Sequence, residues 1–388
     1  MSKGFLSLFK EEFKRMLTTP RILVLILGIP LLLFLYYGAL LQEGVSRDLP
    51  VTILDLDKSS TSRKLASFID ASAAMQIVYE VNDELEGQKT VRRGDSFALI
   101  IIPKDFQKNV QKGVKTNVTC YYNGQYLLPA GLIQRDFQTA AGYLAAGVRT
   151  ISLEQGGLMP NQALAAVAPI KVEEHVLFNP YTSYEYYLGL AFMPMALQII
   201  MLVVSIYVFG VDLKYRKGKE LLERANNKIW VVAIAKILPY TLIFMVLGLY
   251  MNSYVFYKLS MPFKGNFFVL NAFFFLFILV CQSMGFFLAS VMNSLRIALT
   301  IGGAYAAVAF SFAGYTFPPE GMSGFVRGVN YVFPFHSYMR FVVNYAIRGI
   351  SFNAEQAGYL IAFAVFICLG LIGIPFYYKK LQKGGYDA

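Results

Sequence analysis

The chain has 388 residues, 56% of them hydrophobic and 15% charged, with a formal net charge of +11. Soluble domains carry nearer a quarter charged residues, so this composition, with a mean hydropathy of +0.50, excludes an ordinary soluble protein and predicts a polytopic α-helical membrane protein. The basic residues fall largely beside apolar runs, where they orient spans, so no nucleic-acid partner is implied, and Cys120, Cys281 and Cys368 are too few for a disulfide framework.

Residues 1–20 predict an amphipathic helix. Phe5, Leu6, Leu8, Phe9, Phe13, Met16 and Leu17 share one half of a helical wheel, Lys3, Lys10, Lys14 and Arg15 lie mostly on the other, and only Glu12 enters the apolar arc. Such a helix lies in the cytoplasmic interface against membrane lipids. The first span, 21–42, carries an uncharged apolar run of about 20 residues, enough to cross a hydrocarbon core of about 30 Å. It is too long for a signal peptide and lacks a small-x-small cleavage site, so it reads as a retained span with the N-terminus inside.

Residues 43–180 predict an α/β domain on the outer side. VTILDLD, MQIVYEV, SFALIIIP and KTNVTCYYN have strand character, and SSTSRKLASFIDAS, DELEGQKTVRRG and KDFQKNVQKG alternate with them as helices. One long helix is expected over 127–155, and APIKVEEHVLFN returns extended. The sequon Asn117-Val118-Thr119 reads as accidental.

In 181–388, apolar runs at 184–210, 229–257, 267–292, 297–317 and 358–378 bring the expected spans to six, with both termini inside. The Lys/Arg clusters at 3–21, 214–228 and 379–383 and Arg296 in a short inner turn agree with that orientation. Between the last two spans, residues 318–352 are apolar but broken by Pro318, Pro319 and Pro334 and marked by Arg327, Arg340 and Arg348. Proline forces turns at Phe317 and near Phe333, which predicts a re-entrant hairpin of two short helices. Arg327 and Arg340 belong at the outer surface or in a watery vestibule, where the hairpin would gate the exit side with His336 packed beneath.

The segment 211–228, VDLKYRKGKELLERANNK, sets six basic residues (Lys214, Arg216, Lys217, Lys219, Arg224, Lys228) against Asp212, Glu220 and Glu223. Leu221, Leu222, Ala225 and Ile229 recur at helical spacing, and Glu220 to Arg224 is a favourable i,i+4 pair. Either a docking helix or a solvated positive-inside loop has this pattern. No catalytic constellation is present: His175 and His336 stand in no metal-ligand spacing, and no GxxxxGK[ST] occurs, so ATP belongs to another polypeptide. The spans hold no midplane carboxylate of the kind an ion-coupled carrier uses; Glu185 and Glu355 sit at span edges, and Lys236 is expected to snorkel to the inner interface. An ion-gradient carrier or channel, or a sensor or scaffold working through 43–178, remain the rival classes.

Four stretches together resemble the permease subunits of the ABC type-2 export family, in the branch with a large external domain after the first span: KEEFKRMLTTPRILVLILGIP, VTILDLDKSSTSRKL, YRKGKELLERANNKIWVVAIAKILPY and AGYTFPPEGMSGFVRGVNYVFPFHSYMRFVVNYAIRG. Lys219 stands where the family often has threonine, and Ser323-Gly324 where proline is common. The resemblance implies a non-catalytic half-transporter of the bacterial inner membrane that exports an apolar or amphiphilic, drug-like or lipid-like molecule. It would pair with a second copy or a sister permease, bind two cytoplasmic ATPase subunits that hold ATP and Mg, and hand over to a periplasmic adaptor. The ATPase contact residues so implied are Arg216, Lys217, Gly218, Glu220, Leu221 and Leu222 of the coupling helix within 211–228.

Overall fold

The computed structural model describes residues 3–41, 44–167, 175–180 and 182–386. Two compact units divide the chain, one formed by 1–44 with 176–388 and the other by 45–175. Most of the 168–179 stretch expected to be extended lies outside the described residues.

The 45–175 unit is built on a four-stranded sheet in the order β2-β1-β3-β4, from β1 (Leu49–Asp55), β2 (Met75–Glu80), β3 (Ala98–Ile102) and β4 (Thr119–Tyr122). β1 runs parallel to β2 and β3, and β4 closes the edge antiparallel to β3. The two-residue period of a strand sends Val51, Ile53, Ala98, Ile100 and Ile102 to one face, where Leu65, Ile69, Phe106, Leu132, Ile133 and Leu144 cover them. Leu99, with Leu54 and Val81, forms a smaller cluster of its own. The helix Ser60–Asp70 starts at a capping box in which Ser59 and Ser62 bond each other's backbone N–H. A single helix, Leu127–Gln155, spans 29 residues; only its first two-thirds buries side chains in this core, ending at Leu144.

The other unit is a bundle of apolar helices. Among the described residues five are long and apolar enough to cross a membrane: Pro20–Leu41, Tyr184–Lys214, Ile229–Lys258, Phe267–Val291 and Ala354–Lys383. Tyr184–Lys214 is the most enclosed and forms the centre. The run expected as a span over 297–317 is helical only over Leu295–Val308, 14 residues, which rises about 21 Å and falls short of a bilayer core. The expectation of six full-length helical spans is corrected to that extent. The cause lies in residues 309–317, where the chain turns repeatedly through Gly314 at φ +70° instead of continuing the helix. Ala309 and Ala313 are nonetheless buried in the bundle core.

Apolar packing within such a bundle gives little discrimination, since lipid is as apolar as leucine, so polar contacts between helices carry specificity. Thr241 donates to Gln282 at 2.9 Å and Asn252 donates to Asn271 at 2.9 Å, all four being buried.

Candidate functional site

At one end of the bundle four segments meet: the N-terminal helix Lys3–Thr18, the connection after Lys214, the turn after Val291 and the C-terminal tail. The connection contains a short helix, Gly218–Arg224, entered through Arg216 in a left-handed conformation (φ +55°) and left through Asn226 and Asn227 (φ +52° and +58°). Leu221, Leu222 and Ala225 lie in a core with Leu8, Leu213, Val232, Tyr377 and Leu381. The Gly218 N–H donates to the Gly384 carbonyl at 3.0 Å. A Cβ at 218 would stand 3.0 Å from backbone atoms of both Leu381 and Gly384, so any side chain here would need the tail to shift by a few tenths of an ångström. Arg224 bonds Glu11 at 2.6 Å and Ser7 at 3.1 Å, fastening the short helix to the N-terminal one, while its i,i+4 partner Glu220 is at 3.8 Å.

This arrangement sorts the six expected ATPase contacts into two groups. Arg216, Lys217 and Glu220 are exposed, as is Lys219; Gly218, Leu221 and Leu222 are buried in the chain's own interior. The last three pack within the chain itself, and the exposed ones face outward. The amphipathic spacing of the leucines was visible in sequence, but the apolar residues they meet are the same chain's Leu8 and Leu381, far away along the chain in both directions.

Beneath the short helix lies a cluster that the sequence did not reveal. Glu12, Asp212 and Lys236 are 5%, 7% and 1% exposed. The Lys236 ammonium bonds Asp212 directly and Glu12 Oε2 at 3.4 Å. Arg15 reaches Asp212 at 3.2 Å and Glu12 at 3.7 Å, and the Tyr240 hydroxyl donates to Glu12 Oε1 at 3.0 Å. Two carboxylates and two cations thus sum to zero charge, the condition under which buried ions are tolerable. Burial would pull the Arg15 pKa down, but Glu12 and Asp212 outweigh that and hold it above its ordinary value. Lys236 does not snorkel: its ammonium turns inward because two carboxylates await it there. Nor are the helices free of buried acids, since Tyr184–Lys214 continues through Asp212 and carries it inside. Glu12 inside the apolar arc was the one visible sign. Beside the cluster opens a polar cavity of about 680 Å³, lined among others by Lys14, Arg15, Lys217, Glu220 and Arg224.

At the opposite end, residues 318–352 fold as a turn Pro319–Gly321, a helix Gly324–Asn330 and a second helix from Pro334 that runs on through 347. Pro318 (ψ +132°) and Phe333 (φ −110°, ψ +114°) hold the extended backbone that precedes a proline, and Pro334 then opens its helix at the position where a missing N–H costs nothing. Arg327 is exposed; Arg340 pairs with Glu355 at 3.3 Å and Glu320 at 3.7 Å. His336 is buried, with Nδ1 3.0 Å from the Ala313 carbonyl and its ring edge-on to Tyr331. Below it Phe273 stacks on Phe341 with centroids 3.7 Å apart, and Phe277 on Tyr338 at 4.5 Å.

A family model described as ABC-2 family transporter protein matches residues 20–374. No curated protein matches the chain.

Proposed function

The chain belongs to the ABC-2 transporter family, whose members are membrane permeases of ABC transporters, and on that premise we propose that it is the non-catalytic half of an ATP-driven exporter. ATP and Mg are held by separate ATPase subunits, and two permeases, identical or sister chains, enclose the pathway. The cargo is apolar or amphiphilic and leaves the cytoplasm or the inner leaflet of a bacterial inner membrane; a periplasmic adaptor receives it.

The observation that carries this reading is the convergence of the N-terminal helix, the 215–228 connection and the tail at one end, where basic residues predominate. A Lys/Arg excess belongs on the cytoplasmic side. With both termini there, the chain needs an even number of passages. Five long helices and the short Leu295–Val308 supply six if residues 309–317 complete the fifth passage, and irregular backbone at that depth is tolerated where protein covers it. The 45–175 unit, entered after the first passage, then lies outside, and the hairpin 318–352 closes the exit side.

The exposed face of Arg216, Lys217, Lys219 and Glu220 is the ATPase contact in this reading. The buried face of the same short helix transmits its displacement to the N-terminal helix and to the tail, since Leu8, Leu222 and Leu381 share one core. Closure of the ATPases selects the permease state whose contacts with them are better. An ion-coupled carrier would need a carboxylate near the middle of the spans, whereas Glu12 and Asp212 lie at the basic end, paired with Arg15 and Lys236.

The test is ATP turnover by the ATPase subunits in vesicles with and without this chain, repeated with Arg216→Glu/Glu220→Lys. Stimulation by the native chain and its loss in the variant support the assignment; turnover that ignores the permease removes it. Topology is checked by a membrane-impermeant maleimide applied outside, in a background lacking the three native cysteines. Lys89→Cys should label and Lys219→Cys should not.

A further inference from the structure

A groove of about 650 Å³ opens within the 45–175 unit. One wall is a single face of the helix Leu127–Gln155, from Phe137 through Ala141, Leu144 and Val148, residues spaced so that they share one side. The other wall comes from Phe106 and Val110 and from the segment after them, including Val114 and Val118. Past Leu144 the helix has no fully buried side chain; Val148 still packs at the edge of the sheet core, and the helix Pro160–Val167 lies against Leu127–Gln155. The lining is mostly apolar, with Gln111, Thr116 and Ser152 among it, and carries two charges, Lys115 and Arg149. Both side chains are exposed, neither makes an ion pair among the described residues, and no carboxylate lines the groove.

Volume and charge together restrict the occupant. Drug-sized ligands take sites of about 300–1,000 Å³ that are mostly apolar with a few placed polar groups. An elongated apolar trough with two unpaired cations and no acid matches a molecule with a hydrocarbon chain and an anionic head. We propose that this groove binds a single-chain anionic amphiphile, its chain along the helix face and its carboxylate or phosphate head between Lys115 and Arg149. The site stands whether or not that molecule is the exported cargo.

The full chain in phosphatidylcholine nanodiscs, free of other anionic lipid, is irradiated with palmitate bearing a diazirine near the chain end, and the adducts are mapped by mass spectrometry. Adducts should concentrate in residues 106–118 and 137–152 and fall at least fivefold with Lys115→Glu/Arg149→Glu. Lys115→Arg/Arg149→Lys should retain them, and Ala145→Trp, which fills the trough from an exposed helix position, should abolish them. Excess palmitate should compete, and methyl palmitate, which lacks the charge, should not. Circular dichroism and a folded elution profile separate loss of the site from loss of the fold. Equal competition by the methyl ester, adducts confined to the membrane helices, or labelling indifferent to Ala145→Trp each overturn the assignment. It is equally overturned if a photoreactive residue at position 145 captures a second protein chain and the palmitate label is absent.

Discussion

The two ends of the helical bundle are held by different forces. At the basic end Glu12, Arg15, Asp212, Lys236 and Tyr240 form a buried charged set, and at the hairpin end Phe273, Phe277, Phe341 and Tyr338 form stacked rings. Charges in an apolar interior are all-or-none: each satisfies its partner, and loss of one leaves another uncompensated. Stacked rings are graded, since each offset-stacked or edge-to-face pair contributes about 0.5–1.5 kcal/mol and a neighbour can shift to recover part of it. In the proposed exporter the basic end would move as one rigid body under an external push, which suits the first kind of bond, and the hairpin end would open and reseal, which suits the second.

Removing one charge should have the largest effect. Lys236→Met leaves Glu12 and Asp212 with Arg15 alone, and a broken buried pair costs about 3–5 kcal/mol. Thermal unfolding in detergent should show this loss, and the pairing with Asp212→Asn should cost less than the sum of the two single changes. If Lys236→Met is silent, the contrast between the ends fails. Next comes Gly218→Val, whose side chain would enter the space of the Leu381 and Gly384 backbone. Overpacking of this kind costs about 1–3 kcal/mol, and limited proteolysis should find the C-terminal tail released. At the other end Phe341→Leu keeps most of the volume but loses the stack on Phe273, for about 1 kcal/mol; a loss as large as that of Lys236→Met would erase the distinction between directional and graded bonding. The smallest change in stability belongs to Arg216→Glu and Glu220→Lys, both exposed, at under about 0.5 kcal/mol. Their expected signature is loss of ATPase stimulation at unchanged unfolding temperature.

Local signals in the sequence were read faithfully by the structure in several places. The helix over Leu127–Gln155 has the bounds that its apolar spacing suggests, with Pro129 in its first turn and no further proline before Pro160, and the turn before Pro334 follows from the steric demand of the pyrrolidine ring. Where the reading failed, a distant residue made the decision. Lys236 was expected at the interface because only its own apolar neighbours were visible, yet it turns inward to Asp212 and Glu12, 24 and 224 positions away. The spacing of Leu222 shows amphipathicity without showing that Leu8 and Leu381 lie against its apolar face.

The amino-acid sequence by itself determined that this is a membrane protein, where its long apolar helices run, which end carries the basic residues, and that the 45–175 stretch alternates strands with helices. These are consequences of composition, period and proline sterics, each of which acts over a few residues. Only the tertiary structure decided which charges neutralise each other, that the 297–317 run stops being helical after Val308, and that Gly218 lies close against the tail. Those outcomes depend on pairings between segments far apart in the chain, and the free energy of a buried charge or a close backbone approach is set by its partner and not by its neighbours in sequence.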